Sequence, residues 1–259
     1  MAVVLSSIFF VLVILIGGEQ GVRSIITLIG NAVTLFISIY WISSGADVSL
    51  VVFICSIIFT TLTLLIQNQY NQKTMAAIAA VISVMILLTV FSSFIVYQTG
   101  IGGYSELDIY EDECSFLNSE ININAQKVMI AVVIIGLLGA IMDTALSITS
   151  AVYEVYQNNQ ELTFGELVKS GKSIGHDILG TTINTLFFAA IGESIFLIIL
   201  FMKYQYSFLA LMNSKAFLQL GSTIIVANLG CLLVIPLSSV SISYMIVKKK
   251  CIPKNKKKL

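Results

Sequence analysis

The sequence predicts an all-α fold, a polytopic transmembrane helix bundle of about seven spans with its N-terminus outside and its C-terminus in the cytoplasm. Composition is the first reason. Hydrophobic residues make up 57% of the 259 residues, charged residues 11%, and the mean hydropathy is +0.96. Soluble domains carry about 25% charged residues. A soluble globule would therefore lack a polar surface, which excludes that class of protein.

The lengths of the apolar stretches are the second reason. A hydrocarbon core of about 30 Å needs about 20 apolar residues per helix, whereas a barrel strand needs about ten. The predicted spans are residues 2–17, 25–42, 48–66, 75–97, 128–150, 178–202 and 222–247. If the short first stretch does not span, the N-terminus lies inside and the other spans keep their orientation. Residues 203–220 are compatible with an interfacial segment, a re-entrant segment or a plain loop.

The distribution of charge is the third reason, and it gives the orientation. Seven of the 14 basic residues lie in the tail 248–259, and six of the 14 acidic residues lie between Glu106 and Glu120. Because basic residues near span ends favour the cytoplasm, the tail is predicted inside and the acidic loop 98–127 outside. We expect residues 1–247 to form one bundle and the tail to contact anionic lipid headgroups rather than nucleic acid.

Motifs of catalysis or metal binding are missing from the sequence. It contains one histidine, four scattered cysteines, no Cys/His ligand spacing and no Ser/His/Asp set. Zinc sites combine several such ligands at short spacings. We therefore expect no enzyme activity, no cofactor and no metal.

Polar residues inside the spans are the informative ones, because ionisable groups are costly in lipid and usually face the bundle interior. The fifth span and its extension carry a row spaced four, three and four residues apart, which places these side chains on one helix face: Asp143, Ser147, Ser150 and Glu154. Just before this row stand the small residues Gly136, Gly139 and Ala140. Small residues let a neighbouring helix approach, so close packing is expected there.

The sixth span opens with a second polar row, Asp177, Thr181 and Asn184, and Thr182 and Thr185 stand alongside it. At a rise of about 1.5 Å per residue, Asp143, Asn184 and Asn31 lie at similar depths, about 8–9 Å from the inner edge of the core. We expect these three side chains to meet in one layer. Two interpretations stay open, a hydrogen-bonded packing cluster and a site for a proton or ion, since low dielectric raises a carboxyl pKa.

Secondary candidates lie at both ends of the sixth span. Glu193 is placed either to pair with Asn228 or to reach the outer interface. Residues 157–178 read as a cytoplasmic loop with a short amphipathic helix, and Thr163 with Glu166 has capping-box spacing. His176, beside Asp177, is either a pH-sensitive group or a simple interfacial hydrogen-bonding residue.

The sequence resembles a known family in the stretch from Gly136 to Ser194, GLLGAIMDTALSITSAVYEVYQNNQELTFGELVKSGKSIGHDILGTTINTLFFAAIGES. This stretch, with GGEQGVRS at 17–24 and NQKT at 71–74, is similar to the YibE/F family of bacterial membrane proteins. The length matches the short, YibF-type members. The resemblance implies a transporter in the bacterial cytoplasmic membrane, encoded beside a longer YibE-type partner.

A weaker similarity connects Asp143, Thr144, Thr181, Thr182 and Thr185 to the membrane core of the SecD/SecF and RND superfamily. In that superfamily the corresponding Asp is implicated in proton coupling, but its large extracellular domains are absent here. The resulting hypothesis is an ion-coupled transporter or translocase-like subunit with Asp143 as the titrating group and Asn184 and Thr181 as its polar partners. The alternative is a non-transporting scaffold for a partner membrane protein. A YibE-type protein or a second copy is the expected partner.

Overall fold

The computed structural model describes residues 1–102, 125–205 and 207–251, and every regular element in these ranges is a helix. The predicted all-α membrane bundle is thereby confirmed. Its elements, in chain order, are α1 (Ala2–Ser43), α2 (Val48–Asn68), α3 (Gln72–Thr99), α4 (Ala125–Asn158), α5 (Phe164–Lys203), α6 (Phe208–Met212) and α7 (Lys215–Cys251). Most of the predicted acidic loop and basic tail lies outside the described residues.

Six of the described helices are long and apolar enough to cross a membrane, compared with the seven predicted spans. The difference arises at the N-terminus, where the first two predicted spans are the two limbs of α1. Gly18 interrupts this helix with φ 54° and ψ −133°. A side chain at Gly21 would overlap the carbonyl oxygen of Val13. Eight residues of straight helix would separate these positions by about 12 Å, so the chain bends back at Gly18.

The core of the bundle is formed by α3, α4 and α7, which pack against one another. Residues of α3 such as Ala77, Val81 and Val84 have no exposed surface. Helix α2 packs on α3 and α4, α5 packs on α4 and α7, and α1 packs on α2. The polar residues of α4 and α5 consequently lie at one edge of the core, whereas α1 contributes to a different interface.

Side chains at the helix starts determine where these helices begin, since the first backbone N–H groups have no partner within the helix. Asp47 accepts from the amide of Ser49 at 3.0 Å, and Asn71 accepts from that of Thr74 at 2.9 Å. The predicted capping box is present at α5. Its Glu166 carboxylate accepts from the backbone N–H of Thr163 at 2.8 Å, and the Thr163 hydroxyl accepts from the Glu166 N–H at 3.4 Å.

Helix α5 differs from the predicted arrangement of a loop helix followed by a separate span. It runs without interruption from Phe164 to Lys203 and includes most of the segment 157–178. The amphipathic pattern is nevertheless present in its first half, where Leu167 is buried and Lys169 and Lys172 are exposed. After α5, the segment 203–220 contains the five-residue helix α6 and the start of α7.

Candidate functional site

Asp143 lies at the middle of α4, 17 residues after Gln126 and 15 before Asn158, the bounds of its membrane-spanning segment. The predicted row on α4 is a real helix face. Asp143, Ser147 and Glu154 are exposed and Ser150 is half-buried, while the opposite face of α4 packs into the core. This polar row is therefore at the edge of the bundle and extends from mid-helix to the end that leads into α5.

A groove of about 250 Å³ separates α4 from α5 at this level. Its polar lining consists of Asp143, Thr144 and Ser147 from α4 and Thr181, Thr182 and Thr185 from α5. Ala140, Ile178 and Leu186 complete the walls. Four residues of the predicted ion-coupling set, Asp143, Ser147, Thr181 and Thr185, thus line one groove. Because the middle of α5 falls near residue 184, both walls of the groove are central in their helices.

The threonine hydroxyls of the groove donate their protons to their own helices. Thr181 and Thr182 both donate to the carbonyl of Ile178, at 2.8 and 3.0 Å. Thr185 donates to the carbonyl of Thr181 at 2.9 Å, and Thr144 donates to that of Ala140 at 2.8 Å. A hydroxyl has one proton and two acceptor lone pairs. With the proton used, each of the three threonines of α5 offers the groove an oxygen acceptor and no donor. Thr144 is buried, and its hydroxyl also hydrogen-bonds with Cys231.

The Asp143 carboxylate has no partner within the described part of the chain. Neither an ion pair nor a hydrogen bond reaches it from residues 1–102, 125–205 or 207–251. A carboxylate at the centre of a membrane helix costs about 2.5–3.5 kcal/mol on insertion scales. An ionised Asp143 in the membrane would need compensation from outside the described chain, by a cation, water or another protein, and a bound proton would remove the charge instead.

Two glycines in the first half of α5 are in close contact with α4 and α7, and they are not among the residues predicted from the sequence. A β-carbon at Gly171 would lie 2.5 Å from the Ser239 hydroxyl oxygen and 2.9 Å from a Val152 methyl carbon. Gly175 packs in the same way against Ile235 of α7 and Ile148 of α4. The sequence does contain a pattern that indicates this contact, because two glycines four residues apart form a small-residue contact motif.

The predicted close packing at Gly136 and Gly139 of α4 is wrong for contacts within the described chain. No atom lies within 4 Å of a β-carbon built at either position, and both glycines are exposed. They continue the row of Asp143 along the same face of α4. Small residues allow an approach but do not specify the neighbour, and here α5 approaches α4 through its own glycines instead.

The predicted layer of Asp143, Asn184 and Asn31 is not assembled. Asn184 is exposed and does not line the groove, because it lies about 100° around the helix from the centre of the face formed by Thr181, Thr182 and Thr185. The amide of Asn31 donates to the Thr63 hydroxyl at 3.0 Å and so belongs to the interface of α1 with α2. The three residues were predicted to meet because their depths in the membrane are similar, but similar depth does not bring side chains of different helices into contact.

The secondary candidates also lie apart from the groove. The Asn228 amide donates to the carbonyl of Ile224 on its own helix at 2.9 Å, and no hydrogen bond joins it to the exposed Glu193. His176 and Asp177 are exposed on the first half of α5. Asp177 precedes Thr181 by one helical turn and extends its row beyond the groove. Nowhere in the described ranges do three His, Cys, Asp or Glu side chains gather as metal ligands.

Comparison with known proteins identifies the family. The family model described as "YibE/F-like protein" matches residues 5–248. The chain belongs to this family. The match includes the groove residues of both helices and both contact glycines of this YibE/F-like protein. No curated protein and no solved structure matches the chain.

Proposed function

We propose that this YibE/F-like protein is a non-catalytic subunit of an ion-coupled membrane transporter or translocase-like complex, with Asp143 as the group that takes up and releases the ion. The supporting observation is the position of this carboxylate. It lies at mid-helix, in an open groove lined by hydroxyl oxygens, without a counter-charge in the described chain. Intramembrane carboxylates in such positions are typical of ion and proton pathways.

The arrangement of polar groups supports a route on one side of Asp143. Ser147, Ser150 and Glu154 continue the row on α4, and Asp177 continues that on α5. Both rows run toward the link between the two helices, which is cytoplasmic under the orientation predicted from the charge distribution. The proposed site would thus exchange ions with the cytoplasmic side of the bacterial membrane, with the N-terminus of the protein outside and its C-terminus inside.

The test is Asp143→Asn, which keeps the shape and the hydrogen-bonding capacity of the side chain but cannot titrate near neutral pH. We expect the variant to insert and accumulate like the wild type and to lose the pH-dependent growth or uptake phenotype of the intact strain. Glu193→Gln is the matched control, because it also removes an exposed carboxylate from a membrane helix but lies outside the groove. Equal pH profiles for wild type and Asp143→Asn would refute the transport proposal.

A scaffold is the second candidate function, and the exposed row of small residues on α4 favours it. Gly136 and Gly139 have no neighbour in the described chain and lie beside Asp143. A helix of a longer YibE-type partner, or of a second copy, would fit against this face. Gly139→Cys tests contact by disulfide cross-linking in membranes. A cross-linked complex together with an unaffected Asp143→Asn phenotype would favour the scaffold over transport.

A further inference from the structure

We propose that the groove between α4 and α5 binds a monovalent alkali cation, with the Asp143 carboxylate as its charged ligand and groove hydroxyls as its neutral ligands. This inference rests on the proposed function and names the coupling ion. The first argument is the ligand inventory. The groove contains one carboxylate, from Asp143, and the hydroxyls of Thr144, Ser147, Thr181, Thr182 and Thr185, without an amine, imidazole or thiol. Oxygen ligands of this kind suit hard cations.

The second argument is the direction of the hydroxyl groups. The three threonines of α5 use their protons on backbone carbonyls, so their lone pairs are available to a ligand while their protons are not. An anion would need donors, and these threonines provide none. A set of acceptor oxygens around an uncompensated carboxylate is complementary to a positive charge.

The third argument is the charge balance. Calcium and magnesium sites in proteins commonly combine several carboxylates, or one or two together with substrate phosphates. Here one carboxylate faces the groove, and the described chain holds no cluster of three acidic or other metal-ligating side chains. A single positive charge neutralises Asp143, whereas a divalent ion would leave a net charge within the membrane. Neutrality of the site therefore favours an ion with a single positive charge.

The fourth argument is space. The groove volume of about 250 Å³ exceeds the volume of a bare ion. It leaves room for several water molecules at about 30 Å³ each. Waters held in this space would complete the coordination that the protein oxygens begin. A bound cation also offsets the cost of placing the Asp143 charge in the membrane.

Binding of radioactive sodium and rubidium ions to the purified full-length protein in lipid nanodiscs tests the proposal without knowledge of a transported substrate. We expect saturable binding of at least one of these ions, competed by the unlabelled ion and not by choline. Asp143→Asn should abolish it. The double variant Thr181→Val with Thr185→Val should weaken it by about tenfold or more, because isosteric valines remove two oxygen ligands. Glu193→Gln should bind like the wild type.

The outcomes separate this inference from the proposed function. If neither ion binds, or if Asp143→Asn still binds, the cation site is overturned. If neither ion binds but Asp143→Asn abolishes the pH-dependent phenotype, the coupling ion is a proton and the proposed function stands. If Asp143→Asn abolishes ion binding while the cellular phenotype is unchanged, the cation site stands and its coupling to transport is refuted. Unfolding temperatures in sodium and choline chloride at equal ionic strength confirm that the variants are folded.

Discussion

Gly171 on α5 and Ser239 on α7 are in direct contact, and a β-carbon at position 171 would lie 2.8 Å from that of Ser239. This contact holds the first half of α5 against the core. Gly175 repeats it one turn later against Ile235. Beyond the two glycines, α5 presents the hydroxyls of Thr181 and Thr185 to the groove. The glycine contact thus positions one wall of the proposed site.

The contact predicts the effect of adding a single methyl group. Gly171→Ala should gain about 1 kcal/mol of helix propensity but lose about 1–3 kcal/mol through overpacking, so a net loss of stability is expected. Gly180→Ala on the same helix is the control, since no atom lies within 4 Å of a β-carbon there. It should be neutral or stabilising. Thermal unfolding in detergent measures both, and a Gly171→Ala variant as stable as Gly180→Ala would contradict the packing argument.

The bend in α1 makes a second prediction. Gly18 has a backbone conformation, φ 54° and ψ −133°, that side-chain-bearing residues rarely adopt. Gly18→Ala should therefore destabilise the protein by about 1–3 kcal/mol or straighten the helix. Gly17→Ala is the neighbouring control, because position 17 has free space and no positive φ. Distances between spin labels on the two limbs of α1 report the bend. Unchanged distances together with unchanged stability would show that glycine is not required.

The hydrogen bond between Asn31 and Thr63 should contribute a small, measurable energy to the packing of α1 on α2. Hydrogen bonds between membrane helices average about 0.6 kcal/mol in double-mutant cycles. A cycle with Asn31→Ala and Thr63→Val should give a coupling of about this size in reversible unfolding. The same Asn31→Ala variant should leave cation binding at Asp143 unchanged, since the two residues lie in different interfaces. Loss of cation binding in Asn31→Ala would instead support the prediction that Asn31 and Asp143 meet in one polar layer.

The ion pair between Asp47 and Lys127, which joins the start of α2 to α4 at 2.5 Å, predicts a pH dependence of stability. The hydrogen bond from the Lys127 ammonium, followed by backbone N–H groups of Leu50 and Ser49, lowers the Asp47 pKa below its ordinary value of 3.8. A lowered carboxyl pKa stabilises the fold above the unfolded-state pKa, and the contribution disappears as pH falls through the folded-state pKa.

Asp47→Asn isolates this contribution, because Asn is also a good N-cap but carries no charge. Wild type should be the more stable protein at neutral pH, and the difference should vanish as the pH falls below 3.8, the ordinary carboxyl value. High salt should reduce the difference at neutral pH, since the pair is partly exposed. Unfolding temperatures between pH 7 and pH 3 at two salt concentrations provide the measurement. A difference that grows on acidification would contradict the assigned sign.

The sequence predicted those features that depend on local pattern. Hydropathy located the spans, and three-residue spacing located the capping box of Thr163 and Glu166. Regular spacing along α4 placed Asp143 and Ser147 on one face, and both line the groove. On α5 the predicted row grouped Thr181 with Asn184, whereas Thr185 and not Asn184 lines the groove with Thr181. Such patterns predict a helix and its face because the helical repeat is fixed.

Features that depend on helix neighbours were not predictable in this way. Residue counting gave Asn31 and Asp143 similar depths in the membrane. Depth does not tell which helices are neighbours, and α1, which carries Asn31, packs against α2. Gly136 with Gly139 and Gly171 with Gly175 are equally good packing motifs in sequence. Only the second pair has a partner within the described chain. The continuity of α5 was missed because polar residues around His176 resemble a loop, although no proline interrupts them.

The uninterrupted length of α5 gives it the properties of a lever. Its 40 residues extend about 60 Å, twice the thickness of the hydrocarbon core, so part of the helix projects from the bilayer or lies strongly inclined in it. Gly171 and Gly175 act as the fulcrum, with about 12 Å of helix from Thr163 to Gly171 and about 15 Å from Gly175 to Thr185. If α5 pivots there as a rigid rod, a protein that displaces its exposed start near Phe164 moves Thr185 by a comparable distance in the opposite direction.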